Sequence, residues 1–251
     1  MKDVAKTVTE ILLELAEMVK PGTNMLDIER KARELVEKHN VKSYNYQYHP
    51  KWASIPYPAF TCINVDSVIA HGIPGDYELK EGEICGIDIG IVDQKGHCGD
   101  SGLTLPVGKI ENKKSRLLYY AKQTLYEAIG MLEPGTNTED IAKHIKKFAN
   151  ARGYTVNRIF AGHKIGKEMH EHPNIYNTPE ETHTYGTVKV GEVYCIEPFL
   201  TPGKDDQGGL LPNGWTWATR DAQPSAFFEH MVKVTKNGPV ILTDHIKDLT
   251  W

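Results

Sequence analysis

The chain has 251 residues, of which 40% are hydrophobic and 25% are charged, and its formal net charge is −4. This composition is typical of a soluble globular protein, and the charge gives no indication of a nucleic-acid or anionic-membrane partner. No apolar run approaches the roughly 20 residues that span a bilayer, and acidic residues interrupt the N-terminal segment, which excludes a secretory signal peptide. The four cysteines form no CxxC pair, so we expect a reducing, cytoplasmic environment.

The first predicted element is an amphipathic helix near the N-terminus. Its apolar residues recur at helical spacing and are Val4, Val8, Ile11, Leu12, Leu15 and Val19. A Pro-Gly-Thr-Asn turn follows, and Asn24 with Asp27 resembles a capping box that begins a second helix near 24–39. The same turn occurs again further along the chain. There Asn137 with Asp140 predicts the start of another helix near 137–152.

Two segments of the chain occur twice in the same order. Residues 18–28 (MVKPGTNMLDI) resemble residues 131–141 (MLEPGTNTEDI). Residues 79–88 (LKEGEICGID) resemble residues 188–197 (VKVGEVYCIE), and each copy reads as a turn followed by an apolar strand that ends in a carboxylate. Chance similarity between common turns and strands is the alternative, but two repeats in one order favour an internal duplication.

The duplication predicts the fold class. We expect a single α+β domain over residues 1–251, with halves near 1–110 and 111–251 that are related by a pseudo-two-fold axis. Each half would contain two helices followed by antiparallel strands. Asp88 and Glu197 would then lie at equivalent positions beside the axis.

Four carboxylates lie in or beside apolar strand-like segments: Asp88, Asp100, Glu197 and Glu229. Asp93 to Gly96 predicts a hairpin turn, which would make Asp88 and Asp100 neighbours across the ladder. Each acid alone is more often a surface carboxylate, but carboxylates among apolar residues are seldom buried unless paired or metal-bound. Together with His163 they suit Mn, Fe, Co or Zn, and two bridged ions would indicate metal-assisted hydrolysis.

Five motifs give the chain a resemblance to a known family. They are TCINVDSVIAHGIP (61–74), GIDIGIVDQKGHCGD (86–100), GHKIGKEMHEHP (162–173), YCIEPFL (194–200) and NGWTWATRDAQPSAFFEHMVKVT (213–235). In content and order they resemble the type I methionine aminopeptidases, over essentially the whole chain. The resemblance implies the pita-bread fold around a central dimetal site. It also implies that N-terminal methionine is removed from peptides and nascent proteins, with a preference for a small second residue.

The resemblance also implies roles for individual residues. The five metal ligands would be Asp88, Asp100, His163, Glu197 and Glu229, with Asp100 and Glu229 bridging both ions. Asp88 would bind one ion, and His163 and Glu197 the other. Glu197 is also the candidate for handling the water proton. His71 would lie near the scissile amide and the substrate amine, unless it is a structural histidine, and His170 would donate a hydrogen bond to the substrate carbonyl or the developing oxyanion.

A methionine pocket is implied by the same resemblance. It would include Tyr57, Cys62 and Trp215, with Met169 nearby, although each of these side chains is equally compatible with a place in the core. The implied protein is a cytoplasmic monomer that acts on nascent chains in association with the ribosome. No separate nucleic-acid or membrane partner is expected.

Two alternatives remain open at this stage. A proline-directed aminopeptidase of the same fold has the same five ligands. Those relatives carry an additional N-terminal domain for which the chain offers no room, and the HGIP motif and Trp215 favour the methionine enzymes. The second alternative is a non-catalytic pita-bread binding protein, although such proteins typically lose ligands that this chain retains.

Three features depart from the family pattern. Lys164 replaces a glycine of the GHGIG motif, which would place a bulky cation beside a ligand. The segment from Asp88 to Asp100 is one residue longer than the family norm, so the hairpin must hold that residue in its turn or as a bulge. The aromatic segment 44–58 is also longer than the usual loop.

Overall fold

The computed structural model describes residues 1–244. Its helices are α1 (Lys2–Ala16), α2 (Met25–Lys38), α3 (Asn112–Gly130) and α4 (Thr138–Asn150). Its strands are β1 (Lys42–Ser43), β2 (Cys62–Val65), β3 (Val68–Ala70), β4 (Ile84–Val92), β5 (Cys98–Pro106), β6 (Thr155–Val156), β7 (Ala161–Lys164), β8 (Glu171–Tyr176), β9 (Val193–Ile196), β10 (Phe199–Thr201), β11 (Gly209–Leu210), β12 (Trp217–Ala218), β13 (Ala226–Phe227), β14 (His230–Thr235) and β15 (Gly238–Ile241). The mixed α+β class is as predicted. Within residues 1–244, no helix has both the length and the hydropathy needed to cross a bilayer.

Helices α2 and α4 begin where the sequence predicts. The side chains of Asn24 and Asn137 accept hydrogen bonds at 2.9 Å from the backbone N–H two residues further on, which caps α2 and α4. In a complete capping box the Asp27 side chain would also accept the N–H of Asn24. Here it pairs with Arg30 instead. The apolar stripe of α1 is buried as predicted. The helix itself ends at Ala16, before the buried Val19.

The repeated segments adopt the same local structure in both halves. In the first half the N–H of Gly22 donates to the carbonyl of Leu79 at 2.7 Å. In the second half the N–H of Gly135 donates to the carbonyl of Val188 at 2.9 Å. Each helix–turn–helix unit is therefore fastened to the turn before its half's acidic strand by an equivalent bond.

The β4–β5 hairpin shows where the extra residue lies. The N–H of Gly96 donates to the carbonyl of Asp93 at 2.9 Å, which confirms the turn. The antiparallel ladder is unbroken from Val92↔Cys98 onward, so the extra residue is held in the turn and not as a bulge. Asp88 and Asp100 are neighbours across the ladder as predicted, but they are not directly opposite each other. Asp88 lies opposite Gly102 and Asp100 lies opposite Gly90, so the two acids are diagonal neighbours on one face.

Two sheets meet where β5 lies against the stretch that runs from β13, a strand of a third sheet, into β14. One sheet has the order β1-β4-β2 with β5 on β4, and the other has the order β15-β14-β9-β7-β8. Across the seam, Thr104 and Phe227 exchange two hydrogen bonds, and the N–H of Glu229 donates to the carbonyl of Gly102 at 2.9 Å. A side chain at Gly102 would clash with the Phe227 ring, so the close approach requires glycine. The seam places acidic residues of both sheets around one point.

Candidate metal centre and active site

The five predicted ligands come from different strands but face one another. Asp88 lies in β4, Asp100 in β5 and His163 in β7, while Glu197 follows β9 and Glu229 precedes β14. The Nε2 atom of His163 lies 3.8 Å from Asp100 Oδ2 and 3.7 Å from Glu197 Oε1. Ligand atoms of Asp100, His163, Cys195 and Glu229 lie within 4.8 Å of one another.

The carboxylates of this cluster are electrostatically uncompensated. Burial raises the pKa of Asp88 to about 7. Burial, with repulsion from the neighbouring acids, raises the pKa values of Asp100, Glu197 and Glu229 well above their ordinary range. Within residues 1–244, His163 is the one basic side chain within 4 Å of any of these carboxylates.

His163 does not supply the missing positive charge. Its side chain is buried, and burial together with the neighbouring His170 lowers its pKa to about 3, so the imidazole is neutral at pH 7. Its Nδ1 atom lies 3.2 Å from the carbonyl oxygen of Lys164. An N–H at Nδ1 that donates to this carbonyl leaves the lone pair of Nε2 directed at the acids, as in a histidine metal ligand.

Lys164 points away from the cluster, contrary to the prediction. Its Nζ atom lies 3.3 Å from Glu171 Oε2 and 3.6 Å from Glu192 Oε1. Successive side chains of a strand alternate between faces, so with His163 inward Lys164 points outward. The cation in this motif is therefore neutralised on the far side of β7.

A cavity opens beside Asp88 and Asp100. Its lining includes all six residues predicted to contact substrate: Tyr57, Cys62, His71, Met169, His170 and Trp215. The residues expected near the substrate and the residues expected to bind metal thus share one site.

Tyr57 and Trp215 form a buried wall of this cavity. Their rings meet edge-on, with centroids 5.0 Å apart. The Tyr57 hydroxyl lies 3.0 Å from the carbonyl oxygens of Thr61 and Gly72, and Trp215 Nε1 donates to the carbonyl of Ile55 at 2.9 Å. Because the polar atoms of both rings are satisfied by backbone, the surface left for a ligand is apolar.

His71 is held in an unusual backbone conformation. Its φ is +53°, in the left-handed region that only a few per cent of non-glycine residues adopt. Its ring packs among Phe160, Trp215 and Trp52, with centroids 5.2, 6.0 and 6.1 Å away. Burial, with the neighbouring His170, lowers the pKa of His71 to about 4, and its Nδ1 has no hydrogen-bond partner. A neutral imidazole with an unused nitrogen is therefore available at the cavity.

His170 lines the cavity and contacts His163 of the acidic cluster. Its ring centroid is 4.5 Å from that of His163, and the rings of Tyr48 and Tyr44 lie 5.9 and 6.1 Å away. The residue is exposed and lines the cavity.

Several residues of the site were not predicted. The aromatic segment 44–58 supplies Tyr44, Asn45 and Tyr48 to the cavity. Asn45 anchors this segment, because its Oδ1 accepts the N–H of Gly90 at 2.8 Å. The length of the segment was the available signal, but no pattern in it indicated which side chains turn inward. Cys195 was also missed, although its spacing of two from Glu197 in a strand indicates the same face.

Comparison with known proteins agrees with this geometry. Residues 44–236 match metallopeptidase family M24. The methionine aminopeptidase of Aquifex aeolicus is 35% identical over 248 residues, which cover 97% of this chain and 95% of that protein. The crystal structure of a methionine aminopeptidase from Thermotoga maritima superposes with a TM-score of 0.89, at 32% identity over 97% of this chain and 94% of the other.

A more distant likeness bears on the fold alone. The prolidase from Pyrococcus horikoshii gives a TM-score of 0.76 at 18% identity, over 99% of this chain and 62% of that one. The pita-bread fold is thereby shared, while the stronger likeness is to the methionine enzymes. The family and the acidic cluster together support the binding of divalent metal. The chain belongs to metallopeptidase family M24 and, within it, to the methionine aminopeptidases.

Proposed function

We propose that this chain hydrolyses the peptide bond after an N-terminal methionine, using two divalent cations held by Asp88, Asp100, His163, Glu197 and Glu229. The observation that carries the proposal is that a cavity with an aromatic wall lies next to the carboxylate cluster. A cavity with an apolar wall of Tyr57 and Trp215 opens onto a cluster of carboxylates for which the described residues provide no cationic partner.

The residues present fit a pair of cations. The carboxylates provide oxygen ligands, and the neutral His163 provides a nitrogen whose position its Nδ1 contact fixes. Glu229 is 2% exposed, and its Oε1 atom has no hydrogen-bond partner, a costly arrangement unless a ligand occupies it. A set dominated by oxygen with one imidazole suits Mn, Fe, Co or Zn. When bound, such ions polarise a carbonyl and lower the pKa of a water molecule toward neutrality.

Side chains of this protein would supply proton transfer, a hydrogen bond to the substrate carbonyl and contacts to the methionine side chain. Glu197 would take a proton from the attacking water at its carboxylate and deliver it to the leaving amine. His170 would donate a hydrogen bond to the substrate carbonyl oxygen, where negative charge develops. His71 would meet the scissile amide with its neutral ring. The aromatic wall would exclude water from the methionine side chain.

The specificity follows from the cavity wall. Apolar ring faces and the thiol of Cys62 suit an unbranched thioether and offer no partner for a charged side chain. The cavity wall therefore favours methionine as the first residue, and the resemblance to the methionine aminopeptidases implies that a small residue should follow it. A large second residue should slow cleavage.

A three-peptide assay tests the proposal. Protein loaded with Mn or Co is given Met-Ala-Ser, Met-Lys-Ser and Ala-Pro-Ala, and the released amino acid is quantified. We expect rapid cleavage of Met-Ala-Ser and poor cleavage of Met-Lys-Ser. Faster cleavage of Ala-Pro-Ala would favour the proline-directed alternative. A folded, metal-loaded protein that cleaves none of them would be a binding protein.

We also propose that residues 1–251 act as one catalytic domain with halves near 1–110 and 111–251. The distribution of ligands supports this, because the first half supplies two of the five and the second half supplies three. A cytoplasmic monomer that acts on nascent chains at the ribosome remains the expectation for its cellular setting. Sedimentation of the purified protein, alone and with ribosomes, tests whether it is a monomer and whether it binds ribosomes.

A further inference from the structure

Glu29 is a buried carboxylate outside the metal centre to which the function above assigns no role. It lies in α2 and is 6% exposed. A carboxylate on the buried face of a helix is unfavourable unless its oxygens are paired. Its surroundings therefore define what it does.

Both oxygens of Glu29 are used to hold the segment that leads into β2. Oε1 accepts the N–H of Phe60 at 2.9 Å, and Oε2 accepts the N–H of Thr61 at 3.1 Å and the Thr61 hydroxyl at 2.8 Å. On the solvent side, Arg33 donates to Oε1 at 2.9 Å, and its guanidinium lies over the Phe60 ring, 4.5 Å from the centroid. Three donors of the Phe60–Thr61 segment thus converge on one side chain.

This segment connects directly to the cavity wall. The carbonyl of Thr61 lies 3.0 Å from the Tyr57 hydroxyl, and the next residue is Cys62, which lines the cavity. The same hydroxyl lies 3.0 Å from the carbonyl of Gly72, which adjoins the strained His71. A chain of contacts therefore runs from α2 to the aromatic wall and the backbone of His71.

We infer that Glu29 is a positioning residue for the substrate pocket, which fixes the Phe60–Thr61 backbone and through it the places of Tyr57 and Cys62. The inference rests on the proposed function, because it concerns the selectivity of that same pocket. Glu29 touches no substrate. Its effect is exerted through the segment that it holds.

The first arm of the test measures the contact itself. In Glu29→Gln the amide NH₂ group faces N–H and O–H donors, so at least one of the hydrogen bonds to the segment is lost. We expect the backbone amides of Phe60 and Thr61 to exchange with deuterium about tenfold faster or more, as the loss of a charged hydrogen bond implies. Arg33→Met is the matched control, since it removes the outer partner and leaves the backbone bonds in place. Unchanged exchange at both amides in Glu29→Gln would overturn the inference.

The second arm measures the consequence for substrate choice. For Glu29→Gln we expect kcat/KM on Met-Ala-Ser to fall about tenfold, within the effect of a displacement of about 1 Å. The value for Leu-Ala-Ser should fall less, so the preference for methionine narrows. Arg33→Met should preserve that preference even where its Tm is lowered. An unchanged preference in Glu29→Gln, or the same narrowing in Arg33→Met, would show a merely structural role.

Two further measurements distinguish failure of the inference from a variant that does not fold and from failure of the proposed function. Should Glu29→Gln fail to fold, Thr61→Val, which removes only the hydroxyl contact at 2.8 Å, is carried through both arms with smaller changes expected in the same direction, and no change in either arm would overturn the inference. Should the wild-type protein fail to release methionine, the proposed function is wrong. Hydrogen exchange still decides in that case whether Glu29 fixes the segment.

Discussion

Two regions of the molecule contain inward-facing carboxylates, and they differ in whether a cationic side chain pairs with them. The Asp205 side chain is 6% exposed and accepts hydrogen bonds from Arg220 Nη2 at 2.6 Å and from the Arg220 backbone N–H at 2.7 Å. The Arg220 guanidinium holds the pKa of Asp205 well below its ordinary range. In the central cluster burial raises the carboxylate pKa values, and among residues 1–244 no arginine or lysine forms an ion pair with them. The chain provides a cation for the structural carboxylate and leaves the central ones for a cation from outside.

Removal of Glu229 should have the largest effect, because it deletes a carboxylate predicted to bridge both ions. We expect Glu229→Ala to lose the second ion and at least about 10³-fold in kcat/KM, since bound cations supply several kcal/mol of transition-state stabilisation. Elemental analysis and the Met-Ala-Ser assay measure the two losses.

The metal dependence of stability provides the control for this variant. After chelation, Mn at about 100 times its Kd should stabilise the wild-type protein by about 2.7 kcal/mol, and Asp205→Asn should gain as much. Glu229→Ala should gain less. Two firmly bound ions in Glu229→Ala would contradict the bridging role.

The two cavity histidines should matter for turnover and not for metal content. We expect His71→Ala and His170→Ala each to lower kcat by about 10²–10⁴, the usual contribution of one positioned acid–base group or oxyanion donor. Their metal content and Tm should remain close to those of the wild-type protein. Full activity in both variants would show that the assigned roles are wrong. Loss of an ion from either would make that histidine a ligand.

Asp205→Asn should destabilise the fold without affecting the metal centre. We expect a loss of about 1.5–3 kcal/mol at pH 7, the range for hydrogen bonds to charged groups. The folded-state pKa of Asp205 is lowered, so its stabilisation is complete above the unfolded-state pKa of about 3.9. It is lost as the pH falls through the lower folded-state value. Urea unfolding at pH 7, 5 and 3 should show the difference between variant and wild type shrinking at pH 3. A difference that is constant with pH would contradict the pairing.

Lys164→Met should have the smallest effect. The Lys164 side chain is 25% exposed and pairs with Glu171 and Glu192 away from the acids. We expect a stability change below about 1 kcal/mol, as for partly exposed ion pairs, and unchanged metal affinity. A marked shift in the Mn affinity measured by calorimetry would show that this cation acts on His163 after all.

Much of this arrangement follows from local patterns in the sequence. The helices, the Asn caps and the Asp93–Gly96 turn are decided by nearby residues, so they were predictable. The register of Asp88 against Asp100 was not, because one additional turn residue shifts which residues face each other. Side chains of segment 44–58 could not be placed either, since long-range contacts such as Asn45 to Gly90 fix that segment. The outward direction of Lys164 was available from strand alternation but was overlooked.

The seam between the two sheets has a dynamic consequence. Asp88 and Asp100 approach it from one side and Glu229 from the other, with the Glu229 N–H bonded across it to Gly102. In cation-free protein above neutral pH, repulsion among these acids acts to part the sheets, while bound cations draw the same groups together. Bound cations should therefore stabilise the contact between the two sheets at the seam. Local opening at Gly102 and Glu229 would be frequent without metal and rare with it, while the helical periphery exchanges its amides at the same rate in both states.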